Sequence, residues 1–317
     1  MNIEKGKANR YIITGGTGLV ARYAAFALAG DSCNTVITAV SEERIPFAEE
    51  LYSEYANIYV VDKNKLFDQD NKEDYSDSVV IHTAYTRKNE GEEITRSLDY
   101  SFDVFMFAKQ KNVRGVIYIS SRSVYKEPDE GQLNTESSPV SCSSLIGTAK
   151  YATELMLESC FKGSGIRYTS LRISSINELK QDNNMIRPLN VFVDRVMSGE
   201  NIKVIGGMQV MSFIDPRDVA QAISLVACSD KEWRQVYNVG TGWKATMSLL
   251  DMAQIVVDIG AARGYDKANI NIEEKEVNQR AGLDITLIKE DFGFEPEIGI
   301  ERMVDDLFNM KEGKSID

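Results

Sequence analysis

A glycine-rich turn between an apolar run and an alanine-rich run constrains this chain more than any other feature. Residues 11–21 read YIITGGTGLVA, and Gly15, Gly16 and Gly18 lie at the junction. Gly15 permits the tight turn, Gly18 lets the backbone approach a pyrophosphate, and Ala21 lets a helix pack on the strand. The N–H groups and the dipole at a helix N-terminus favour a bound anion. The turn therefore predicts a dinucleotide site, and an ordinary glycine turn is the alternative.

The composition indicates a folded protein that does not bind nucleic acid. The chain has 317 residues, of which 43% are apolar, enough for one large or two moderate domains. Its formal net charge of -12 would repel a phosphate backbone. The sequence contains no apolar run near the roughly 18 residues of a membrane span. We therefore expect no nucleic-acid partner, no membrane partner and a cytoplasmic location.

The distribution of cysteine and histidine argues against a metal site. The four cysteines are scattered without a CxxC pair, and His82 is the one histidine in the chain. Structural zinc needs clustered thiolate or imidazole ligands. We expect no bound metal, and the scattered cysteines fit a reducing compartment.

Strand-like and helix-like runs alternate at intervals of 20 to 30 residues through the first half of the chain. This alternation predicts an α/β fold with a doubly wound parallel sheet of the Rossmann type, whose ligand lies beyond the carboxyl ends of the strands. The predicted strands are Thr35–Val40, 57–61, 77–84, 113–120, 166–173 and Ile202–Ile205. The predicted helices are Leu19–Ala29, 48–55, 94–111, 191–198, 249–260 and 300–310.

The stretch that follows the second strand leaves the choice of cofactor open. In a dinucleotide-binding unit, an acidic residue about 20 residues after the glycines holds the adenosine ribose. Here that stretch contains Ser41, Glu42 and Arg44. Glu42 would serve the ribose of NAD, whereas Ser41 and Arg44 would hold the 2′-phosphate of NADP. A solvated loop explains these charges about as well, so both NADP and NAD stay candidates, with NADP slightly favoured.

Six segments, TGGTGLVA, VVIHTA, VIYISSRSVY, GTAKYATE, FIDPRDVA and YNVGTG, follow one another along the chain. Together they resemble the extended short-chain dehydrogenase/reductase family, the NAD(P)-dependent epimerases and dehydratases of nucleotide sugars, over almost the whole chain. The resemblance implies a Rossmann domain over residues 1–172 with a returning segment near 207–240. It implies a smaller C-terminal α/β substrate domain over 173–317, interleaved with the first. It also implies a homodimer through helices near 102–111 and 147–161.

The resemblance implies contacts to cofactor and substrate along one edge of the sheet. Four residues are candidates for binding the nucleotide-sugar substrate. Two of them, Tyr85 and Ser123, lie near the sheet edge, and the other two are the arginines Arg187 and Arg280. The arginines are chosen because a planar guanidinium can bind phosphate oxygens in pairs. The residues expected to bind the cofactor are Gly15, Gly16, Thr17, Gly18, Leu19, Val20, Ser41, Arg44, Asp62, Thr83, Ala84 and Lys150.

The resemblance is incomplete at the residue that the chemistry most needs. Ser121, four residues before Tyr125, occupies the position that hydrogen-bonds the reacting sugar hydroxyl in this family. The family also uses Tyr-x-x-x-Lys on the next helix, where the lysine lowers the pKa of the tyrosine. Lys150 stands at the lysine position, but Ile146 replaces the tyrosine. Isoleucine cannot transfer a proton, so we expect the usual hydride chemistry not to run in the usual way.

Three functions follow from this combination. The first is an enzyme acting on a nucleotide sugar with a non-standard proton relay through Tyr85, Ser123, Ser143 or water. The second is a catalytically inactive NAD(P)-binding sensor or assembly subunit that keeps the glycine turn and Lys150 for the cofactor. The third is a reductase or isomerase on a substrate other than a sugar, because a fold does not fix a function.

Overall fold

The structure is a computed structural model that describes residues 9–86, 88–178, 187–277 and 279–316. Short 3-10 turns lie at Glu42–Arg44 and Arg122–Val124. The strands are β1 (Arg10–Thr14), β2 (Thr35–Val40), β3 (Ile58–Asp62), β4 (Ser78–His82), β5 (Gly115–Ser121), β6 (Arg167–Ile173), β7 (Ser175–Ile176), β8 (Ile202–Ile205), β9 (Val210–Ile214), β10 (Val236–Val239), β11 (Thr246–Ser248) and β12 (Ile270–Glu273). The helices are α1 (Leu19–Ala29), α2 (Ile45–Tyr52), α3 (Lys63–Leu66), α4 (Gly91–Gln110), α5 (Leu145–Phe161), α6 (Pro188–Met197), α7 (Pro216–Ala227), α8 (Leu249–Ala262), α9 (Thr286–Phe292) and α10 (Ile300–Lys311).

A seven-stranded parallel sheet forms the centre of the structure, in the order β10-β6-β5-β4-β1-β2-β3. This arrangement confirms the predicted doubly wound sheet. The strand order reverses between β1 and β4, where Thr14 pairs in register with His82. A doubly wound sheet binds its ligand at this reversal, beyond the carboxyl ends of the strands.

Helices cover both faces of the sheet. On one face, Ala24 and Leu28 of α1 and Ile223 of α7 belong to a buried apolar cluster with the strands. On the other face, Phe105 of α4 and Leu157 of α5 belong to a second cluster. Burial on both faces explains the nearly continuous apolar runs of the central strands.

A separate apolar cluster joins α6, α8 and α10 to β8. Gly260 lets α8 approach α6 closely, because a Cβ at this position would overlap the side chain of Val196. Two small sheets accompany this cluster, in the orders β11-β9-β7 and β12-β8. Between α6 and α8, the chain returns to the large sheet, where α7 packs on one face and β10 forms the edge strand. The predicted domain limits at 172 and 173 stay predictions.

A buried ion pair fixes α5 against the sheet. Glu154 of α5 and Arg172 of β6 are each 5% exposed, and Arg172 Nη2 lies 2.6 Å from Glu154 Oε2. A second hydrogen bond joins Arg172 Nε to Glu154 Oε1 at 3.0 Å. Ser120 donates to the same carboxylate, and the Arg172 guanidinium lies 4.6 Å from the centre of the Tyr125 ring. The pair therefore ties together the helix and two strands that surround the candidate site.

Replacing one partner of this pair is expected to destabilise the fold strongly. Arg172→Met leaves the Glu154 carboxylate buried without a countercharge, and such losses cost about 3–5 kcal/mol. Urea denaturation of wild type and variant measures the free energy of unfolding. The matched control is Arg234→Met, which breaks the 2.7 Å ion pair of a half-exposed arginine with Asp291 and should cost about 1 kcal/mol or less. Equal losses in the two variants would contradict the structural role of the buried pair.

Candidate functional site

The glycine turn forms an open cradle between β1 and α1. Gly15 adopts a positive φ of 68°, and a Cβ there would lie 2.9 Å from the Cα of Ala84. The backbone after β1 thus touches the segment after β4, which leaves no room for a side chain. Gly18 is the N-cap of α1 and contributes no capping side chain. The N–H groups at the start of α1 are therefore available to an anion.

A cavity of about 620 Å³ lies in front of this cradle. Its volume is in the range of small-molecule and cofactor sites. Of the residues predicted to bind the cofactor, seven line the cavity: Gly15, Thr17, Gly18, Leu19, Ser41, Arg44 and Ala84. Tyr85, a predicted substrate residue, also lines it. The turn, the end of β2 and the segment after β4 are therefore brought together as the sequence predicted.

Five predicted cofactor residues do not line the cavity: Lys150, described below, and four residues near the turn and the strand ends. Gly16 lies beneath the turn, where its carbonyl accepts a hydrogen bond from Tyr52. Val20 packs against the apolar cluster beneath α1. Thr83 Oγ1 donates to the carbonyl of Thr14 at 2.6 Å. The fourth, Asp62, is 8% exposed and accepts the backbone N–H of the residue two positions later at 3.0 Å, which caps α3. In this geometry these residues shape the turn and the neighbouring strand ends.

The cavity lining carries more cations than its carboxylates neutralise. Arg22 lies 3.7 Å from Glu178, and Arg96 lies 3.0 Å from Glu93. Arg44 and Lys63 also line the cavity, and in the described part of the chain neither forms an ion pair. Lys63 Nζ instead lies 4.9 Å from the centre of an aromatic ring, that of Tyr100. Arg44 and Lys63 are therefore the cations best placed to meet a phosphate.

The residues predicted to bind the ribose or its 2′-phosphate lie at the 3-10 turn after β2. Ser41 Oγ donates to Glu43 at 2.5 Å, and this hydrogen bond lowers the pKa of Glu43. Ser41 and Arg44 line the cavity, whereas Glu42 is exposed outside the lining. The positions are consistent with the expectation that Ser41 and Arg44 face a phosphate, and the choice between NADP and NAD stays a prediction.

Ser121 ends β5 and forms a hydroxyl pair with Ser123. The Oγ of Ser121 accepts from the backbone N–H of Ser123 at 3.1 Å and from its Oγ at 2.9 Å. Because both of these bonds are accepted, the Ser121 hydroxyl proton is free to donate to a ligand. Ser143, another predicted relay residue, is exposed before α5.

Lys150 is buried against β5 and two aromatic rings. It is 9% exposed, and its Nζ donates to the carbonyl of Ile119 at 2.7 Å. The Nζ also lies 4.1 Å from the ring centre of Tyr85 and 5.0 Å from that of Tyr118. Burial lowers the pKa of Lys150 to about 7. The lowered pKa brings the amine toward the range in which a general base or acid is effective.

Tyr85 and Ile146 flank this lysine without supplying a ready proton acceptor. The Tyr85 hydroxyl is buried and has no hydrogen-bond partner in the described structure, and burial raises its pKa. Ile146 is half-buried in the first turn of α5, four residues before Lys150 and hence on the same helical face. Its backbone N–H donates to the Asn89 side chain at 3.3 Å. Neither side chain replaces an ionisable tyrosine beside Lys150.

The two predicted phosphate-binding arginines are already paired with protein groups. Arg187 is 7% exposed and donates to the carbonyl of Ile176 and, at 3.4 Å, to Glu178. Arg280 pairs with Glu130 at 3.1 Å and has a 40% exposed side chain. Neither arginine lines the cavity in front of the turn. Their assignment to the substrate stays a prediction.

Two features near the site were not predicted from the sequence. Arg122, directly after Ser121, is half-buried and donates from Nε to Ser175 at 3.2 Å. Arg122 could have been predicted from its position in the sequence, next to a candidate catalytic serine. His82 bridges the hydroxyls of Thr14 and Ser101 at 2.7 and 2.9 Å. Burial lowers the pKa of His82 to about 3, so this histidine is neutral and structural.

Residues 9–86, 88–178, 187–277 and 279–316 contain neither a cluster of metal ligands nor a membrane-spanning helix. Over these residues, no group of three or more His, Cys, Asp or Glu side chains is arranged to hold a metal ion. Within the same ranges, every helix is too short or too polar to cross a bilayer.

Solved structures of nucleotide-sugar enzymes have a similar fold. One is a UDP-N-acetylglucosamine 4-epimerase from Methanobrevibacter ruminantium M1 in complex with UDP-N-acetylmuramic acid, with a TM-score of 0.75 and 24% identity over 97% of this chain and 100% of that chain. Another is a UDP-glucuronic acid 4-epimerase from Bacillus cereus in complex with UDP-glucuronic acid and NAD, with a TM-score of 0.76 and 16% identity over 96% and 99%. A dTDP-glucose 4,6-dehydratase, DesIV from Streptomyces venezuelae, has a TM-score of 0.74 and 18% identity over 96% and 98%.

Sequence comparison gives the family of the chain. Among curated proteins, no sequence matches it. Residues 11–240, which include the glycine turn, Ser121, Lys150 and the returning strand β10, match the model of the NAD dependent epimerase/dehydratase family. Because this match extends over most of the chain, the protein belongs to the NAD-dependent epimerase/dehydratase family.

Proposed function

We propose that this protein is an NAD(P)-dependent epimerase or dehydratase of a nucleotide sugar, with a non-standard proton relay. The observation that carries the proposal is the glycine cradle, which opens onto a cavity lined by unpaired cations at the reversal of the strand order. Family membership and the ligands named for the similar structures support it. A cytoplasmic location belongs to the same proposal, supported by four free cysteines.

The residues around the cradle fit a dinucleotide. Gly15 and Gly18 keep the turn tight beside the start of α1, because a Cβ at the first would meet Ala84 at 2.9 Å and a Cβ at the second the Gly15 carbonyl at 3.1 Å. The start of α1 would bind the pyrophosphate through its N–H groups. Ser41 and Arg44 would hold the ribose or its 2′-phosphate. A bound NAD(P) would supply reversible hydride exchange with the substrate.

The serine pair at the end of β5 is the best candidate for the proton relay. When the sugar hydroxyl is oxidised, its proton would pass to Ser121 as the Ser121 proton moves to Ser123, 2.9 Å away, and the Ser123 proton to water; the reverse transfers would accompany reduction. Lys150 would stabilise negative charge nearby, and its lowered pKa lets it take up a proton near neutral pH. Tyr85 is a poorer candidate than Ser123 because its hydroxyl is buried without a partner.

An inactive cofactor-binding protein is the second candidate. The environment of Lys150 favours it. The Tyr85 ring covers the amine, and the side chain on the same helical face, Ile146, cannot transfer a proton. A sensor or assembly subunit would need the cradle but no proton relay. Tight cofactor binding without turnover of any nucleotide sugar would support this alternative.

Gly18→Asp is expected to abolish NAD(P) binding. The substitution introduces a side chain and a negative charge where the pyrophosphate would approach the start of α1. Isothermal titration calorimetry with NAD and NADP measures the effect. Gly91→Asp is the matched control, because it adds the same group at the start of α4, where a Cβ meets nothing within 4 Å. Equal binding by wild type and Gly18→Asp would overturn the cofactor assignment.

Ile146→Tyr is expected to increase hydride transfer. The phenol would lie on the same helical face as Lys150, whose ammonium would lower its pKa. We expect little wild-type activity on common UDP-hexoses and a gain of up to roughly 100-fold in the variant with at least one of them. Reduced-nicotinamide absorbance and product analysis measure it.

Ile146→Phe is the control for this experiment, because it adds the ring without the hydroxyl. We expect no gain from phenylalanine, so that a gain confined to tyrosine assigns it to proton transfer. Strong wild-type turnover that falls in Ile146→Tyr would show that another relay already occupies this space.

We also propose that the protein is a homodimer. Helices α4 and α5 pack side by side, and their outer faces expose Phe102, Met106 and Leu155 at 47%, 44% and 49%. Three large apolar side chains on adjacent helices favour a partner surface over solvent. A two-fold axis beside these helices would form a four-helix bundle.

Leu155→Glu is expected to convert the dimer to a monomer. The charge would be buried at the centre of the helix bundle without a countercharge. Light scattering at micromolar concentration measures the mass. The control, Phe47→Glu, replaces an apolar residue of similar exposure, 48%, on α2 and should leave the dimer intact. A wild-type protein that is already monomeric would contradict the proposal.

A further inference from the structure

Arg122 is a half-buried cation without a countercharge. It follows the last residue of β5, and its Nε donates to the hydroxyl of Ser175 at 3.2 Å. Within the described residues, no carboxylate forms an ion pair with its guanidinium. Glu127 is the acidic residue whose charge acts on it, from beyond ion-pair distance. Burial lowers the pKa of Arg122, and this small opposing effect of Glu127 does not offset it.

Among the described residues, the two most buried arginines are neutralised by carboxylates, whereas the half-buried Arg167 donates to the backbone carbonyls of Ser229 and Lys231. Arg172 pairs with Glu154 at 2.6 Å, and Arg187 pairs with Glu178 at 3.4 Å. An arginine stays charged in proteins, so removing it from water without a partner is unfavourable. An anionic ligand would supply the missing charge. Among the described groups, Arg122 donates only to the Ser175 hydroxyl, so its guanidinium has neither a carboxylate nor a backbone carbonyl as a partner.

The position of Arg122 indicates which part of the ligand carries this anion. It lies at the carboxyl ends of β5 and β6, between Ser121 and Ser123 in sequence. The cradle for the cofactor phosphates lies at the end of β1, which β4 separates from β5 in the sheet. An anion at Arg122 would therefore be adjacent to the sugar group that contacts Ser121. The guanidinium fork matches the two oxygens of a carboxylate.

We propose that Arg122 binds a carboxylate carried by the sugar ring, so that the substrate class is a nucleotide-linked uronic acid or a sugar with an equivalent acid group. This inference rests on the proposed function. The Ser175 hydroxyl holds the guanidinium through Nε, which leaves the two terminal nitrogens for the carboxylate. A neutral hexose leaves the cation unpaired, and a site with an unpaired buried polar group rejects such a ligand.

The test compares four ligands on the cofactor-saturated protein. They are glucuronic acid and glucose, each linked to UDP and to dTDP, with free UDP and dTDP as references. Calorimetry should show that wild type binds the glucuronic acid conjugate of one nucleotide roughly 10- to 100-fold more tightly than the glucose conjugate. Arg122→Gln should remove this preference and leave binding of the free nucleotide, which lacks the sugar ring, unchanged. Arg122→Lys, which keeps the charge without the fork, should retain part of it.

Arg195→Gln is the matched control, since this arginine has a 47% exposed side chain paired with Glu200 at the end of α6. It should keep the full preference. Unchanged thermal unfolding and NAD(P) binding of Arg122→Gln establish that this variant is folded. Equal weakening of both sugar conjugates and the free nucleotide would assign Arg122 to the diphosphate and overturn the inference.

Two further outcomes separate this inference from the proposed function. Binding of both sugar conjugates by wild type without a preference would overturn the carboxylate site and leave the nucleotide-sugar assignment intact. Binding of NAD(P) with no binding of any conjugate would overturn both.

Discussion

The buried ion pair between Glu154 and Arg172 determines the geometry of the candidate site. It joins α5 to β6, and the hydrogen bond from Ser120 extends the connection to β5. The serine pair stands at the end of β5, and Lys150 lies one helical turn before Glu154 on α5. Loss of this charged contact in the interior would therefore disturb the packing of α5 on the strands that carry these groups.

The same contact explains how the site can keep its architecture without the family's tyrosine. Position 146 lies at the open end of α5, two turns from Glu154, and contributes little to the packing of helix on sheet. Lys150 is held by the Ile119 carbonyl and by the Tyr85 and Tyr118 rings rather than by a phenol. We therefore expect the fold to tolerate isoleucine at this position, with the predicted consequence in proton transfer.

The parts of the fold that depend on local sequence could be predicted. The limits of Leu19–Ala29 and Thr35–Val40 agree with the structure because glycines and polar residues bound these apolar runs. The two-residue strand β7 and the short β12 were not predicted, since each exists through its pairing with a distant strand. The glycine cradle could also be predicted, because a short stretch of local sequence defines it. The covering of Lys150 by Tyr85 was not, because 65 positions separate the two residues in sequence.

Cations without an ion-pair partner lie both at the cradle and at Arg122. The chain has a net charge of -12, so most of its surface repels an anionic ligand. Along the carboxyl edge of the sheet, however, Arg44, Lys63 and Arg122 lack ion pairs with described carboxylates. Most other arginines of the interior are neutralised, as Arg172 is by Glu154. Cations are thus left unpaired along the edge where a dinucleotide and an acidic sugar would bring their negative charges.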